Sequence, residues 1–224
     1  MYSYVARQPI LDSNLQVVAY ELLFRNGEDN CFPGIDPDQA TSNILTNNHL
    51  TLGLEEITGG KTSYLNFHTG TLVSNFPDFL DPKKVVIEIL EDVTVNDDLL
   101  CAIKAIKEKG YTLALDDFDF DPKWEPFYPY IDIIKVDVLQ FTIIEISRFI
   151  NTILHLKVTL LAEKVESSKH FEQLKMLGFT LFQGYFFARP EMLKQRKIST
   201  AKKNILDLIN QSSQVNLNLD ALSQ

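Results

Sequence analysis

Seven apolar, strand-like runs in this chain each carry a charged or amide side chain near the C-terminal end. They are Val17-Val18-Ala19-Tyr20-Glu21, Tyr64-Leu65-Asn66, Val85-Val86-Ile87-Glu88, Thr112-Leu113-Ala114-Leu115-Asp116-Asp117, Ile131-Asp132-Ile133-Ile134-Lys135, Leu160-Leu161-Ala162-Glu163 and Leu181-Phe182-Gln183. A core has no use for this many carboxylates, because a lone buried charge is too unfavourable unless it is paired or holds metal. One geometry accounts for the pattern. Parallel strands open into one mouth, where the acids share cations, as at the C-terminal face of a barrel enzyme.

The alternation of elements agrees. The spacing predicts strands over 2–11 and 16–25 as an opening hairpin around Asp12-Ser13-Asn14, and a helix from about 36 to 57 after Pro33-Gly34. Strands follow at 62–67, 85–90, 112–118, 131–137, 158–163 and 180–187. Helices are expected at 69–75, 97–109, 143–156 and 167–177, and residues 119–130, rich in Asp, Pro and aromatics, read as a loop. Repeated βα units imply a parallel sheet. About eight strands with acids at successive ends favour an α/β, TIM-like (β/α)8 barrel, and no G-x-G-x-x-G turn supports a dinucleotide fold. The barrel is expected over residues 1–190. From 191 to 224 a basic cluster and the stripe Ile205, Leu206, Leu208, Ile209 suggest a C-terminal helical extension, the start of a second domain.

Composition narrows the function classes. Among 224 residues, 21 basic against 30 acidic side chains give a net charge of −9, which argues against a nucleic-acid polymer as partner. No run reaches the length of a membrane span, and the N-terminus does not read as a signal peptide. Cys31 and Cys101, far apart, suit a reducing, cytoplasmic location.

The donors Glu21, Asn66, Glu88, Asp116, Asp117 and Glu163 are all oxygens, which suit Mg2+ or Mn2+ rather than zinc. Two cations would relieve their repulsion, with Asp116-Asp117 as a bridging element, and two-metal sites serve in-line displacement at phosphorus. Lys135 fits beside them to orient or polarise an attacking water, and Gln183 to orient it. Glu91 and Glu166 are supporting residues behind the ligands, and Arg25 could grip a phosphate. Each has a plainer reading. Glu21 could face solvent, Asn66 end a strand, Asp116-Asp117 cap a turn, Lys135 snorkel, and Glu163 pair with Lys164 or Lys135. The ordered set over seven strands outweighs these.

At these residues the chain resembles the EAL family of cyclic-di-GMP phosphodiesterases. Arg7-Gln8-Pro9-Ile10 is similar to the family's opening strand and Glu21-Leu22-Leu23-Phe24-Arg25 to its signature, with Leu22 in place of alanine. Tyr64-Leu65-Asn66, Glu88-Ile89-Leu90-Glu91, Asp116-Asp117-Phe118-Asp119, Ile131 to Asp137, Ala162-Glu163-Lys164-Val165-Glu166, Gln183-Gly184-Tyr185 and Arg189-Pro190 match its further motifs in order. The resemblance implies hydrolysis of cyclic-di-GMP to linear pGpG with Mg2+ or Mn2+. It makes Glu21, Asn66, Glu88, Asp116, Asp117 and Glu163 metal ligands, and Lys135, Glu163 and Gln183 catalytic. It assigns Gln8, Arg25 and Pro190 to substrate, and Glu91 to bracing the loop after Asp117. A homodimer, and a protein partner met through residues 119–130 or the C-terminal helices, are within its scope. The tail resembles the beginning of an HDOD domain.

Three departures stand out. Asp119 replaces a glycine where φ > 0 is a concern. Lys164 replaces another, placing a cation beside a ligand carboxylate. Leu22 adds volume near the expected floor of the site. They motivate a second hypothesis, a non-catalytic cyclic-di-GMP sensor or interaction module with Trp124, Phe127, Tyr128 and Tyr130 as an aromatic contact surface. A different Mg2+ enzyme using a lysine base on a carbon acid would explain Lys135 but not the motif order.

Overall fold

The structure, a computed structural model, describes residues 2–25, 50–74 and 76–196. The expected start of a helix near residue 36, residues 197–224 and the Arg25 side chain lie outside the described residues. The strands are β1 (Tyr2–Asp12), β2 (Val17–Arg25), β3 (Thr62–Phe67), β4 (Val85–Ile89), β5 (Thr112–Leu115), β6 (Ile133–Asp137), β7 (Thr159–Glu163), β8 (Leu181–Phe182) and β9 (Glu191–Arg196). The helices are α1 (Leu50–Thr58), α2 (Thr69–Val73), α3 (Asp97–Glu108), α4 (Ile143–Ile153) and α5 (Ser168–Met176), and 3-10 segments cover Phe76–Phe79 and Pro122–Tyr130. Helix starts follow local chemistry. Asn96 accepts from the Leu99 N–H at 2.8 Å to open α3, and Thr142 and Glu145 form a reciprocal capping box on α4.

Strands β2 to β8 pair in parallel in chain order, and β1 closes the barrel by pairing antiparallel with β2 on one side and β8 on the other. Period 2 divides the strand residues into two layers. One set, Ile10, Ala19, Tyr64, Val86, Ala114, Ile133 and Leu161 with Leu181 against it, fills the barrel interior. The alternate set, including Leu22, Leu65, Ile87, Leu113, Ile134 and Phe182, packs beneath the helices with Leu99, Ile103, Ile146 and Phe171. Leu22 therefore corrects an expectation: it faces the barrel–helix layer, not the floor of the site, because it is the next residue after inward-facing Glu21.

β9 is a second correction: residues 191–196, expected to open a helical extension, form a strand. β8 meets β1 only at Leu11 and Asp12, which would leave the first half of an 11-residue strand as an open edge. β9 takes up that edge from Tyr2↔Arg196 to Arg7↔Glu191. Arg7 fastens the junction with an ion pair to Glu191 at 2.8 Å, a hydrogen bond to the Ile57 carbonyl of α1, and its guanidinium over the Tyr20 ring.

The segment after β5 holds a third and a fourth. Trp124 and Phe127 are each 1% exposed and belong to the main core, so they offer no contact surface. Phe120 stacks on Phe149 with ring centroids 4.1 Å apart, and Asp119 accepts from Trp124 Nε1 at 3.0 Å, from the Asp121 N–H at 3.1 Å and from Lys123 Nζ at 3.1 Å. Asp119 thus pins the segment from within without a positive φ; that conformation falls to its neighbour Phe120, at φ 63°. Truncating the single tryptophan of this chain leaves a cavity and removes one of the two donors to Asp119 Oδ1. Trp124→Ala should therefore lower stability by about 3–5 kcal/mol in chemical denaturation, and a loss near zero would show that this segment does not belong to the core.

Candidate functional site

Moving one inward position along each strand from the apolar interior layer reaches the site. Ala19 leads to Glu21, Tyr64 to Asn66, Val86 to Glu88, Ala114 to Asp116, Ile133 to Lys135, Leu161 to Glu163 and Leu181 to Gln183. Antiparallel β1 contributes in the reverse sense, from Ile10 to Gln8. A polar ring, one residue from each of eight strands or strand ends, therefore caps the apolar plug.

Lys135 stands at the centre and is fully buried. Its Nζ lies 2.5 Å from Glu88 Oε1, 2.5 Å from Asp116 Oδ1, 3.0 Å from Glu163 Oε1 and 3.9 Å from Glu21 Oε1. The plainer reading of Glu163, pairing with Lys135, is thus part of the arrangement. Burial works against the lysine's charge, but Asp116, Glu163, Glu21 and Glu88 together hold it protonated well above the ordinary lysine range. Burial pushes the Glu88 and Glu163 carboxyls well above the usual carboxylate range; Lys135 pulls them down and the neighbouring acids push them up. Gln183 uses Nε2 to donate to Glu21 Oε2 at 2.6 Å and to Gln8 Oε1 at 3.1 Å, and Gln8 in turn donates to the Ala188 carbonyl at 3.2 Å.

Above this ring a cleft of about 440 Å3 opens, lined by Gln8, Glu21, Asn66, Asp116, Asp117, Glu163, Glu166, Gln183 and Pro190 among others. Glu88 and Lys135 lie beneath its floor. Glu91 is exposed and does not line it. Partial burial raises the Glu91 carboxyl, and the charges of Asp117 and Asp116 add to that. Arg25 occupies the last position of β2, opposite Tyr4. Gly184 is required where it stands, because a Cβ there would sit 2.2 Å from the Val165 backbone N and O. That contact seats the β8 end against the residues after β7 and so fixes Gln183 beside Glu163.

Sequence reasoning missed Asp137 as a member of the site. It is one inward step beyond Lys135, pairs in register with Glu163, and is 4% exposed. Its carboxylate accepts from Lys164 Nζ, from Gln140 Nε2 at 3.0 Å and from the Leu139 N–H at 2.9 Å. Burial alone would raise it, but those donors, Lys164 foremost, hold it below the usual range. Period 2 applied once more to the lysine strand would have found it. Leu23, Leu139 and Tyr185, also missed, give the cleft an apolar wall; Leu139 and Tyr185 are more than half exposed, and no periodicity marks them.

Among the described residues no three His, Cys, Asp or Glu side chains already surround one point as ligands of an ion. The carboxylates surround the lysine instead. The donor chemistry still fits a hard cation. Glu88 Oε2, Glu163 Oε2 and Gln183 Oε1 are buried acceptors with no hydrogen-bond donor among the described residues, and all are oxygens.

A family model described as "EAL domain" matches residues 63–190. The chain is 41% identical over 203 residues to cyclic di-GMP phosphodiesterase CdgJ of Vibrio cholerae, covering 89% of this chain and 47% of that protein. It is 40% identical over 229 residues to the uncharacterized protein YuxH of Bacillus subtilis, covering 100% of this chain and 56% of that one. It thus spans about half the length of these relatives. Among solved structures, Klebsiella pneumoniae BlrP1 in a manganese and cyclic-di-GMP complex superposes with a TM-score of 0.68 at 23% identity, over 88% of this chain and 58% of that chain. An EAL domain protein from Listeria monocytogenes superposes with a TM-score of 0.66 at 22% identity, over 84% of this chain and 88% of that one. At these identities the structures speak for the fold alone. Among the described residues no helix is long and apolar enough to cross a membrane.

The geometry makes the lysine's structural share measurable. In metal-free buffer, Lys135→Met leaves Glu88 and its neighbours buried without a counter-charge and should destabilise the barrel by about 3–5 kcal/mol. An unchanged denaturation midpoint would show that the acids are not held by this ammonium.

Proposed function

The chain belongs to the EAL-domain family, and from that premise we propose that it binds cyclic-di-GMP and hydrolyses one phosphodiester bond to give linear pGpG. The observation that carries the proposal is the ring of oxygen donors, one per strand, around a buried lysine at the floor of a cleft with one apolar wall. Glu21, Asn66, Glu88, Asp116, Asp117 and Glu163 would hold Mg2+ or Mn2+. When bound, these cations supply positive charge against the phosphodiester and acidify the attacking water.

The chain's own residues have separable tasks. Lys135 keeps its proton and holds the acids at one spacing, so its role is electrostatic positioning near the attacking water. Gln183 has committed its amide hydrogens to Glu21 and Gln8, which leaves the buried Oε1 to accept a hydrogen bond from a water and orient it. Gln8, Pro190 and Arg25 serve the nucleotide, and Leu23, Leu139 and Tyr185 give its base an apolar surface. Glu166, which lines the cleft, and Glu91, whose carboxyl feels the charge of Asp117, would support the ligands. Residues 1–196, the barrel of residues 1–190 with β9 added along β1, act in this proposal as the barrel unit of a cytoplasmic signalling protein, followed by an HDOD-like helical module. A homodimer through the segment after β5 remains part of it.

A second reading, a cyclic-di-GMP sensor without turnover, is favoured by one observation: Lys164 sits against Asp117. Incubation with cyclic-di-GMP and Mg2+ or Mn2+, followed by chromatography, separates the two. Linear pGpG is the expected product, lost with EDTA and brought to background in Glu21→Ala and Glu163→Gln while both variants stay folded. No product from the wild type, with nucleotide binding intact, would establish the sensor; undiminished turnover in either variant would sink the ligand assignment.

A further inference from the structure

The two adjacent carboxylates at the end of β5 are held by different lysines. Asp116 belongs to Lys135, as above. Asp117 faces Lys164, whose Nζ lies 3.4 Å from Oδ1 and 3.4 Å from Oδ2 and also contacts Asp137. Lys164 immediately follows Glu163 and lines the same cleft. Its side chain is 48% exposed, so a solvated ammonium was within reach. The side chain instead folds back onto two carboxylates.

The backbone here is unfavourable for a lysine. Lys164 has φ 57° and Asp117 has φ 39°, both in the left-handed region that L-residues with a Cβ avoid. The corner at Lys164 is imposed by its surroundings: the Val165 N–H donates to the Gln183 carbonyl at 3.0 Å, and the Phe186 N–H donates to the Val165 carbonyl at 3.0 Å. Glycine would meet this corner without strain. A lysine is tolerated because its ammonium lands on the acids.

We propose that Lys164 is a built-in cation that competes with a divalent ion for Asp117. This inference rests on the metal-dependent reading of the site. The ammonium stands where positive charge would otherwise be recruited and keeps Asp117 and Asp137 together without metal. An arriving ion must lift it from Asp117, while Asp137, held also by Gln140 and the Leu139 N–H, retains it. Lys164 is thus a positioning residue that weakens cation binding at the Asp117 side of the site and leaves the Glu21, Asn66 and Glu88 side alone.

Direct Mn2+ binding tests this without turnover, using calorimetry and the electron paramagnetic resonance signal of free Mn2+ on the full chain. Lys164→Asn removes the charge while accepting the left-handed backbone; Lys164→Arg keeps the charge; Glu21→Ala disables the other side. Lys164→Asn should bind Mn2+ about two- to fivefold more tightly than wild type, the scale expected of a half-exposed pair. Lys164→Arg should stay near wild type, and the thermal shift produced by Mn2+ should grow in Lys164→Asn alone. Equal Mn2+ affinity in wild type and Lys164→Asn would overturn the competition and leave the metal reading standing. No Mn2+ binding by either, with both folded, would overturn the two together.

Discussion

The structure turns on one buried ammonium. Lys135 has no contact with water, and four carboxylates converge on it from β2, β4, β7 and the end of β5. Neither side of this arrangement could exist alone: an unpaired buried lysine would discharge, and four acids at this spacing would take up protons. Together they let a polar layer close the top of an apolar barrel. Strand register follows from this, because a slip of one residue would turn Lys135 outward and Ile134 into the acids. A pocket of negative charge ready for cations is also the device that makes the barrel whole without them.

Much of this was legible because strand geometry has period 2. Glu21, Asn66, Glu88, Lys135 and Glu163 each close an apolar run, and the runs recur with helices between them, so convergence follows from topology. Chain-local patterns do not carry what depends on contact between distant segments. β9 exists because β8 is too short to cover β1, and the sequence of 191–196 alone does not say that. Trp124 and Phe127 look like an aromatic display until their burial in the barrel–helix core is known. Asp119 seems to inherit a glycine's backbone problem, yet the turn shifts that conformation by one residue onto Phe120, whose ring finds Phe149 and Phe141. Asp137 obeys the rule that finds Lys135, one inward step further along β6, but its role is visible only once Lys164 from the end of β7 is seen to reach it.

The pairing of lysines with acids divides the site into two halves that differ in burial. The Lys135 half is dry, and its charges are fixed by one another. The Lys164 half is half-open to solvent and includes Asp117, whose carboxyl is raised by burial and by Asp116 and lowered by Lys164. In a dry half the cost of rearranging charges is high; in the wet half it is small. Any ion or ligand that changes the charge balance therefore acts first on Asp117, Lys164 and the chain after β5.

Backbone strain is distributed in the same sense. At the bottom of the barrel, where helices hand the chain back to strands, positive φ is met by glycine, as at Gly110 before β5 and Gly178 before β8. At the top Gly184 takes one such corner, but Asp117, Phe120 and Lys164 take the others, residues with side chains that suffer for it. Each such corner is unfavourable by about 1–3 kcal/mol and survives only where its surroundings overdetermine it. Stability alone would have placed glycine at both ends. Leu15, in the turn between β1 and β2, shows that a side chain can stand at such a corner away from the ring. Asp117 and Lys164 differ from it in that each carries a charge paired with the other, so what they touch, and not only the turn they make, accounts for a side chain at those two corners.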